Sequence, residues 1–283
     1  MNLVKNIIVY LIQGTLAVLE INKIGRFIKR TLFEQMRSNN KKILHNTIHM
    51  LFATPNELCN YRATTFSTKE PETLEWIDNF TDGSVLWDIG ANVGLYSIYA
   101  ARRHGCHVFS FEPSVFNLEC LARNCFLNAV TDLVTLMPFA LNDQTCTSTL
   151  NMSSTDLGGA LSTFDKSYGH DGRKLFEVFR FKTLGISIDD VVKYLGIPNP
   201  DYIKLDVDGI EHMILRGGTK ALLDTKGILI EVNEDFNELS IDCKMLLHAA
   251  GFELREKRQG IGTNHGVFKN TFNQIWQKVQ LEQ

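Results

Sequence analysis

Apolar residues along the chain alternate between short runs and helical stripes. Val85–Ile89 (VLWDI) is a compact apolar run, followed by a helical pattern over Leu95–Arg103 and a second run at His107–Phe111. Ser114–Asn128 reads as a helix with Phe116, Leu118, Leu121, Cys125 and Leu127 on its inner face, and Val134–Leu141 as a third strand. Further on come a helix at Ile188–Leu195, a strand at Tyr202–Val207 and a helix at Glu211–Leu223, interrupted at Arg216-Gly217-Gly218. Gly227–Val232 is a fifth strand, Ile241–Ala250 a helix closed by Gly251, and Phe252–Glu256 with Gly266–Lys269 a final antiparallel pair. Short apolar runs bounded by turn residues mark buried strands. Strands alternating with helices predict an α/β fold whose parallel sheet is covered on both faces. Such sheets bind ligands where their strands end, so chemistry is expected just after each strand.

Upstream, residues 1–50 read as helices with a break around Ser38-Asn39-Asn40, residues 51–67 as loop or short strand, and Pro71–Asn79 as a short helix opened by its proline. The expected organisation is an N-terminal helical extension over 1–66 and one large domain over 67–283. Ile7–Leu19 is an apolar run of 13 residues, short of the roughly 20 that span a bilayer. Val4, Ile8, Leu11, Ile12, Leu16 and Leu19 recur at helical spacing, and Lys23, Arg26, Lys29 and Arg30 follow. Two readings stay open: a helix lying on an anionic membrane surface, or one packed on the domain or on a second subunit.

The net charge of −3 divides into +6 over residues 1–45 and −9 over the rest. An acidic body offers no basic groove for phosphates, so nucleic acid is not an expected partner. The six cysteines include no CxxC pair, which suits reduced, buried thiols and a cytoplasmic protein, membrane-associated if the N-terminal helix contacts lipid.

The first strand runs into Asp88-Ile89-Gly90-Ala91-Asn92-Val93-Gly94 before a helix. Gly90 and Gly94 allow a tight turn and close approach to a ligand, and Asp88 suits a cationic amino group. In a dinucleotide site a pyrophosphate meets bare backbone at a GxGxxG loop. Here Asn92 stands at the second glycine, which favours a ligand without phosphate. Glu112 ends the second strand 22 residues beyond Gly90, a placement suited to ribose hydroxyls.

DIGANVGLYS, then FEP, then IKLDVDGIEHMILRGG resembles the FkbM family of S-adenosylmethionine-dependent methyltransferases, over about Lys69 to Phe268 and including TKEPETLEWID and SIDDVV. The resemblance implies a Rossmann-like class I methyltransferase fold, with a mostly parallel seven-stranded sheet in the order 3-2-1-4-5-7-6. It implies S-adenosyl-L-methionine as methyl donor, with Gly90, Asn92 and Gly94 along its methionine and ribose part and Glu112 on the ribose. It puts the stretch Ala140-Leu141-Asn142-Asp143 near the adenine, with Asn142 or Asp143 to read the adenine amino group. The family sequence DVEG stands here as Asp206-Val207-Asp208-Gly209, which shortens the second acidic side chain.

Methyl transfer to an alcohol requires an in-line nucleophile and a place for its proton. Asp206, which also borders the expected cofactor position, is the first candidate for base or for holding the acceptor hydroxyl; Glu211 is the second, with helix capping as its alternative. Asp206, Glu231 and Asn233 would suit a divalent cation, but their spacing is generic and no metal is expected. His212 and His265 lie nearest the expected rim and read as structural, and His45 and His49 stand four apart on an expected helix. Asn151–Phe164 reads either as an acceptor lid hinged at Gly158-Gly159 or as a surface hairpin. The expected reaction is O-methylation of a sugar, glycan or secondary metabolite. The alternatives are a protein, lipid or RNA acceptor, or a non-catalytic Rossmann-like binding protein; oligomerisation stays open.

Overall fold

A computed structural model describes residues 2–259 and 268–279. Residues 2–37 form two helices, α1 (Asn2–Leu19) and α2 (Lys23–Arg37). The helical expectation for residues 40–50 is corrected: β1 (Asn40–His45) and β2 (Ile48–Ala53) form an antiparallel hairpin. Asn46 and Thr47 both take positive φ, 44° and 69°. Two consecutive positive values give the turn that twists with its flanking strands. His45 and His49 therefore sit on a hairpin, not on a shared helix face.

Three short helices follow, α3 (Glu57–Thr64), α4 (Phe66–Lys69) and α5 (Pro71–Asp78). The hairpin and these helices join the main core: Met50, Phe52 and Phe66 are buried in one cluster with Leu74, Leu86 and Tyr99. The boundary expected between residues 66 and 67 thus falls inside a single packed cluster.

The alternating part begins with β3 (Val85–Ile89), α6 (Leu95–His104), β4 (His107–Phe111), α7 (Val115–Leu127) and β5 (Val134–Met137). The third strand was expected to continue to Leu141. It stops before Pro138, which has no N–H to give a ladder, and β6 (Ala140–Leu141) belongs to another sheet. That sheet, with β7 (Cys146–Met152), β8 (Ser162–Phe164) and β9 (Phe179–Ile186), has the order β6-β9-β7-β8. Sequence pattern missed all but the hairpin reading of 151–164, because β9 is half-exposed and lacks a continuous apolar run.

The remaining elements are α8 (Ile188–Leu195), β10 (Tyr202–Leu205), α9 (Glu211–Arg216), α10 (Ala221–Asp224), β11 (Gly227–Asn233), α11 (Asn237–Ala249), β12 (Phe252–Arg258) and β13 (Thr271–Lys278). The last strand was expected at Gly266–Lys269; it lies at Thr271–Lys278, and Gly266 and Val267 fall outside the described residues. The large sheet runs β5-β4-β3-β10-β11-β13-β12, parallel except for β13. Counting only these seven strands, the order is 3-2-1-4-5-7-6, a Rossmann-like α/β sheet; the strands of the hairpin and of the second sheet stand outside that count.

Each central strand is buried on both sides. Trp87, Ile89, Leu205 and Ile230 face one layer, and Leu86 and Leu229 face the other, with the hairpin. β2 meets the helical layer through side chains that imitate a neighbouring strand: Asn124 Oδ1 accepts from Ala53 N at 2.7 Å, and Asn128 both accepts from Leu51 N at 2.9 Å and donates to Leu51 O at 2.7 Å. Since Phe52 is only 1% exposed inside this cluster, Phe52→Ala is expected to lower the unfolding free energy by about 3–5 kcal/mol in urea titrations. A loss of only a few tenths would mean that the hairpin is an appendage.

Candidate functional site

The loop after β3 is shaped by close approach. Gly90 has φ of +85°, and a Cβ there would lie 1.8 Å from the carbonyl oxygen of Asp206. Gly94 caps α6 at φ +81°, where a Cβ would meet the Leu121 side chain at 2.2 Å. Between them Asn92 also takes positive φ, 51°, which asparagine tolerates better than most residues. Its backbone N–H donates to Glu112 Oε2 at 2.8 Å and its Nδ2 donates to Gly159 O at 2.7 Å. Its buried Oδ1 has no partner among the described residues.

Glu112, at the end of β4, closes the far wall. It is 6% exposed and accepts from Ser114 N at 2.8 Å as well as from Asn92 N. Burial pushes its pKa up to about 7, against the lowering effect of those N–H groups. Gly90, Asn92, Glu112 and Asn117 line one cavity with Phe139, Leu141, Leu150, Phe164, Ile210 and Ile214. One wall is therefore polar and the other apolar, as a ribose joined to a flat heterocycle requires.

The segment between β7 and β8 crosses this cavity as a pinned strap. Gly159 O accepts from both Asn92 Nδ2 and Asn117 Nδ2, Gly158 N donates to Asn117 Oδ1 at 3.0 Å, and Gly158 O accepts from Arg62 Nε at 2.7 Å. Gly158 takes φ of +82°. The strands on either side form the expected hairpin, and its tip at Gly158 and Gly159 is fastened against the glycine loop.

Asp206 follows β10 and borders this cavity and the two openings beside it. Its Oδ2 accepts from Lys204 Nζ at 2.8 Å. Burial alone would raise the Asp206 pKa, but Lys204, with Lys69 and Arg62 beyond it, holds it below the usual carboxylate value. Lys204 is 2% exposed. Burial works against its charge, and the carboxylates of Asp206, Asp88 and Glu70 more than offset that, raising its pKa. Glu231 lines the same opening as Asp206. Burial first, then the charges of Asp206 and Glu70, push its pKa well above 4.5.

Sequence reasoning missed Arg62, Lys69, Glu70 and Tyr96, which line the second opening with Asp206. Glu70 Oε2 accepts from Tyr96 Oη at 2.9 Å, and Lys69 Nζ donates to Glu70 Oε1 at 2.6 Å. The stretch TKEPE, already part of the family pattern, was the available signal.

Four expected site residues stand elsewhere. Asp88 lines none of these cavities; it is 1% exposed beneath the loop, accepts from Ser97 Oγ and pairs in register with Lys204. Strand alternation points it into the helical layer, so it holds the buried lysine rather than reaching a ligand. Asn142 is fully buried behind β6, its backbone against Gly217; of the expected stretch, Ala140 and Leu141 line the cavity, with Phe139 beside them. Asp143 is likewise absent from that lining. Glu211 faces backward: Oε1 accepts from Val207 N at 3.1 Å and Oε2 from Gly209 N at 3.1 Å, bracing the turn at its own helix start.

Asp208, at φ +64°, accepts from Leu161 N at 2.7 Å and so ties the strap to the turn after β10. Asn233 turns to Asp235 N at 3.0 Å. Among the described residues no three His, Cys, Asp or Glu side chains are grouped to hold a metal ion. His212 is buried against Phe236, and His265 lies outside the described residues.

A glycine loop with an acidic second-strand end and an acidic fourth-strand end defines a Rossmann-like transferase cleft. The family model described as methyltransferase FkbM domain matches residues 88–254, and this chain belongs to that family. Two curated relatives are similar: a hexuronic acid methyltransferase, AglP, of Haloferax volcanii, 26% identical over 159 residues, and the methyltransferase sdnD of Sordaria araneosa, 24% identical over 204 residues. The matches cover 56% and 64% of this chain, and 59% and 78% of those proteins. Among solved structures, a precorrin-6y C5,15-methyltransferase from Geobacter metallireducens GS-15 is 16% identical at a TM-score of 0.42, covering 81% of this chain and 94% of that one. The M. jannaschii TYW2 structure is 12% identical at 0.44, covering 85% and 87%.

The buried carboxyls set a pH dependence of stability. Glu112 and Glu211 are raised to about 7 and Asp208 to about 6, each chiefly by burial. A carboxyl with a raised folded-state pKa binds more proton folded than unfolded, so its contribution is complete below its unfolded value and is lost as pH rises through the folded one. The melting temperature of the ligand-free protein is expected to fall as pH rises from 4.5 to about 7. Glu211→Gln should flatten that slope in scanning calorimetry; an unchanged slope would show that Glu211 titrates normally.

Proposed function

We propose that this chain transfers the methyl group of S-adenosylmethionine to a hydroxyl of a sugar or glycan. The observation that carries the reading is Asp206 at the junction of the cavities, held anionic by buried Lys204. The cavity residues suit the donor: Gly90 leaves room for close approach, the free Oδ1 of Asn92 offers an acceptor, Glu112 retains lone pairs for ribose hydroxyls, and Phe139 with Leu141 offers an apolar wall. When bound there, the cofactor supplies an activated methyl group on a cationic sulfur.

Residues of this chain do the rest. Asp206 accepts the hydrogen bond of the acceptor hydroxyl and orients its oxygen. A carboxylate held below its usual pKa is a weak base, so its contribution is chiefly orientation. Glu231, raised by burial and by its acidic neighbours, is matched better to proton uptake once it has ionised. The relative whose printed name is hexuronic acid methyltransferase supports a sugar acceptor, and Arg62 and Lys69 at the opening suit an acceptor that carries a carboxylate. The catalytic unit extends from the hairpin at Asn40 onward, since Met50 and Phe52 share its core. A cytoplasmic location fits the free cysteines.

Calorimetric titration with S-adenosylmethionine and S-adenosylhomocysteine, with NADH as control, tests the cofactor. Both sulfur ligands should bind, and Glu112→Ala should abolish binding; NADH binding alone would overturn the reading. In turnover assays with uronic-acid glycans, Asp206→Asn should keep cofactor affinity and lower kcat by about 100-fold, the cost of misplacing the acceptor oxygen. Unchanged turnover removes Asp206 from the mechanism. The acid limb of the pH–rate profile should lie well above 4.5, and Glu231→Gln should abolish it.

A further inference from the structure

About half of the exposed large apolar side chains among the described residues lie in residues 3–36, none of which lines the cleft. α1 is apolar around nearly its whole circumference, and Leu3, Tyr10 and Leu11 are 74%, 74% and 66% exposed. A helix of that composition is stable in a folded protein only when something covers it. α1 packs on α2, and the corner between them is tight: a Cβ on Gly25 would lie 2.2 Å from the Leu19 carbonyl oxygen. The two helices therefore form one arm, joined to the body by an ion pair of Arg37 with Glu119 on α7 at 2.7 Å.

α2 is divided lengthwise. Ile24, Phe27, Ile28, Leu32 and Met36 fall on one side and are exposed by 43% or more. Lys23, Arg26, Lys29, Arg30 and Arg37 fall on the other, against a single acidic residue, Glu34. Lys29 and Arg30 pair with Glu20 and Glu34 on the surface, and such exposed pairs contribute little and exchange readily. No helix among the described residues is long and apolar enough to cross a membrane.

We propose that residues 2–37 are a membrane-docking arm that lies along an anionic lipid surface. The exposed aliphatic and aromatic side chains of α1 and α2 enter the boundary between headgroups and acyl chains, and the basic side of α2 meets lipid phosphates. Apolar area and basic charge together supply the two signals that stable peripheral attachment requires. Charge selects this occupant over a second copy of the chain, because two arms of the same positive sign would repel at close approach. The proposal is independent of the methyl-transfer reading.

Co-sedimentation of the full chain with vesicles tests it. Binding should be at least tenfold tighter to phosphatidylcholine vesicles carrying phosphatidylglycerol than to pure phosphatidylcholine, and should weaken as salt rises. The double variant Arg26→Glu and Arg30→Glu should lose about 25-fold or more on anionic vesicles, at roughly fivefold per basic charge removed. Phe27→Ser with Ile28→Ser should weaken binding to both. The near-ultraviolet signal of buried Trp87 and Trp276 should melt at the same temperature in every variant. Equal affinity for neutral and anionic vesicles, or none for either, overturns the proposal. So does a dimer in light scattering that Phe27→Ser with Ile28→Ser dissolves, which would mean that the arm covers another copy of itself.

Discussion

A lysine sits inside the sheet, and the site is organised around keeping it charged. Lys204 occupies a central strand, in register with Asp88 on one side and two residues before Asp206. A buried ammonium is costly unless carboxylates surround it and its hydrogen bonds are met. Asp88, Asp206 and Glu70 meet that demand from three directions: β3, the end of β10 and the turn before α5. The glycine loop, the candidate catalytic carboxylate and the N-terminal wall of the opening are thus tied to one cation. Tyr96 adds its ring beneath the ammonium, 5.1 Å from centroid to Nζ.

This arrangement explains why Asp88 and Asp206 differ though both end parallel strands. Alternation along β3 sends Asp88 into the helical layer, where Ser97 and Lys204 meet it. Asp206 lies one residue beyond the last paired residue of β10, so its backbone oxygen can approach Gly90 while its carboxylate stays on the cavity side. Adding a Cβ at Gly90 would separate the two strand ends and open the lysine's surroundings to water.

The sheet was legible because its strands are buried on both faces and leave continuous apolar runs, as VLWDI and GILIEV do. The glycine loop and Glu112 were legible because spacing along the chain fixes them relative to neighbouring strand ends. What escaped was set by tertiary contact. Residues 40–50 of the hairpin read as helical until two residues with positive φ and the cover from Asn124 and Asn128 are seen. The resemblance put the stretch from Ala140 to Asp143 near the adenine, but the chain turns at Pro138, so Phe139, Ala140 and Leu141 reach the cavity and Asn142 and Asp143 do not. Glu211 carries the right charge in the right place, but folds back on its own turn.

The two asparagines of α7 have a further effect. Asn124 and Asn128 occupy the backbone groups of Leu51 and Ala53 that a foreign strand would otherwise use. An open strand edge is a template for joining chains together, and here it is sealed by amide side chains in place of a further strand. Losing those amides would free that edge to join another chain, and because Asn124 Nδ2 also donates to Val93 O in the glycine loop at 2.8 Å, the same loss would reach the cleft: the guard against self-association and the shape of the loop depend on one side chain.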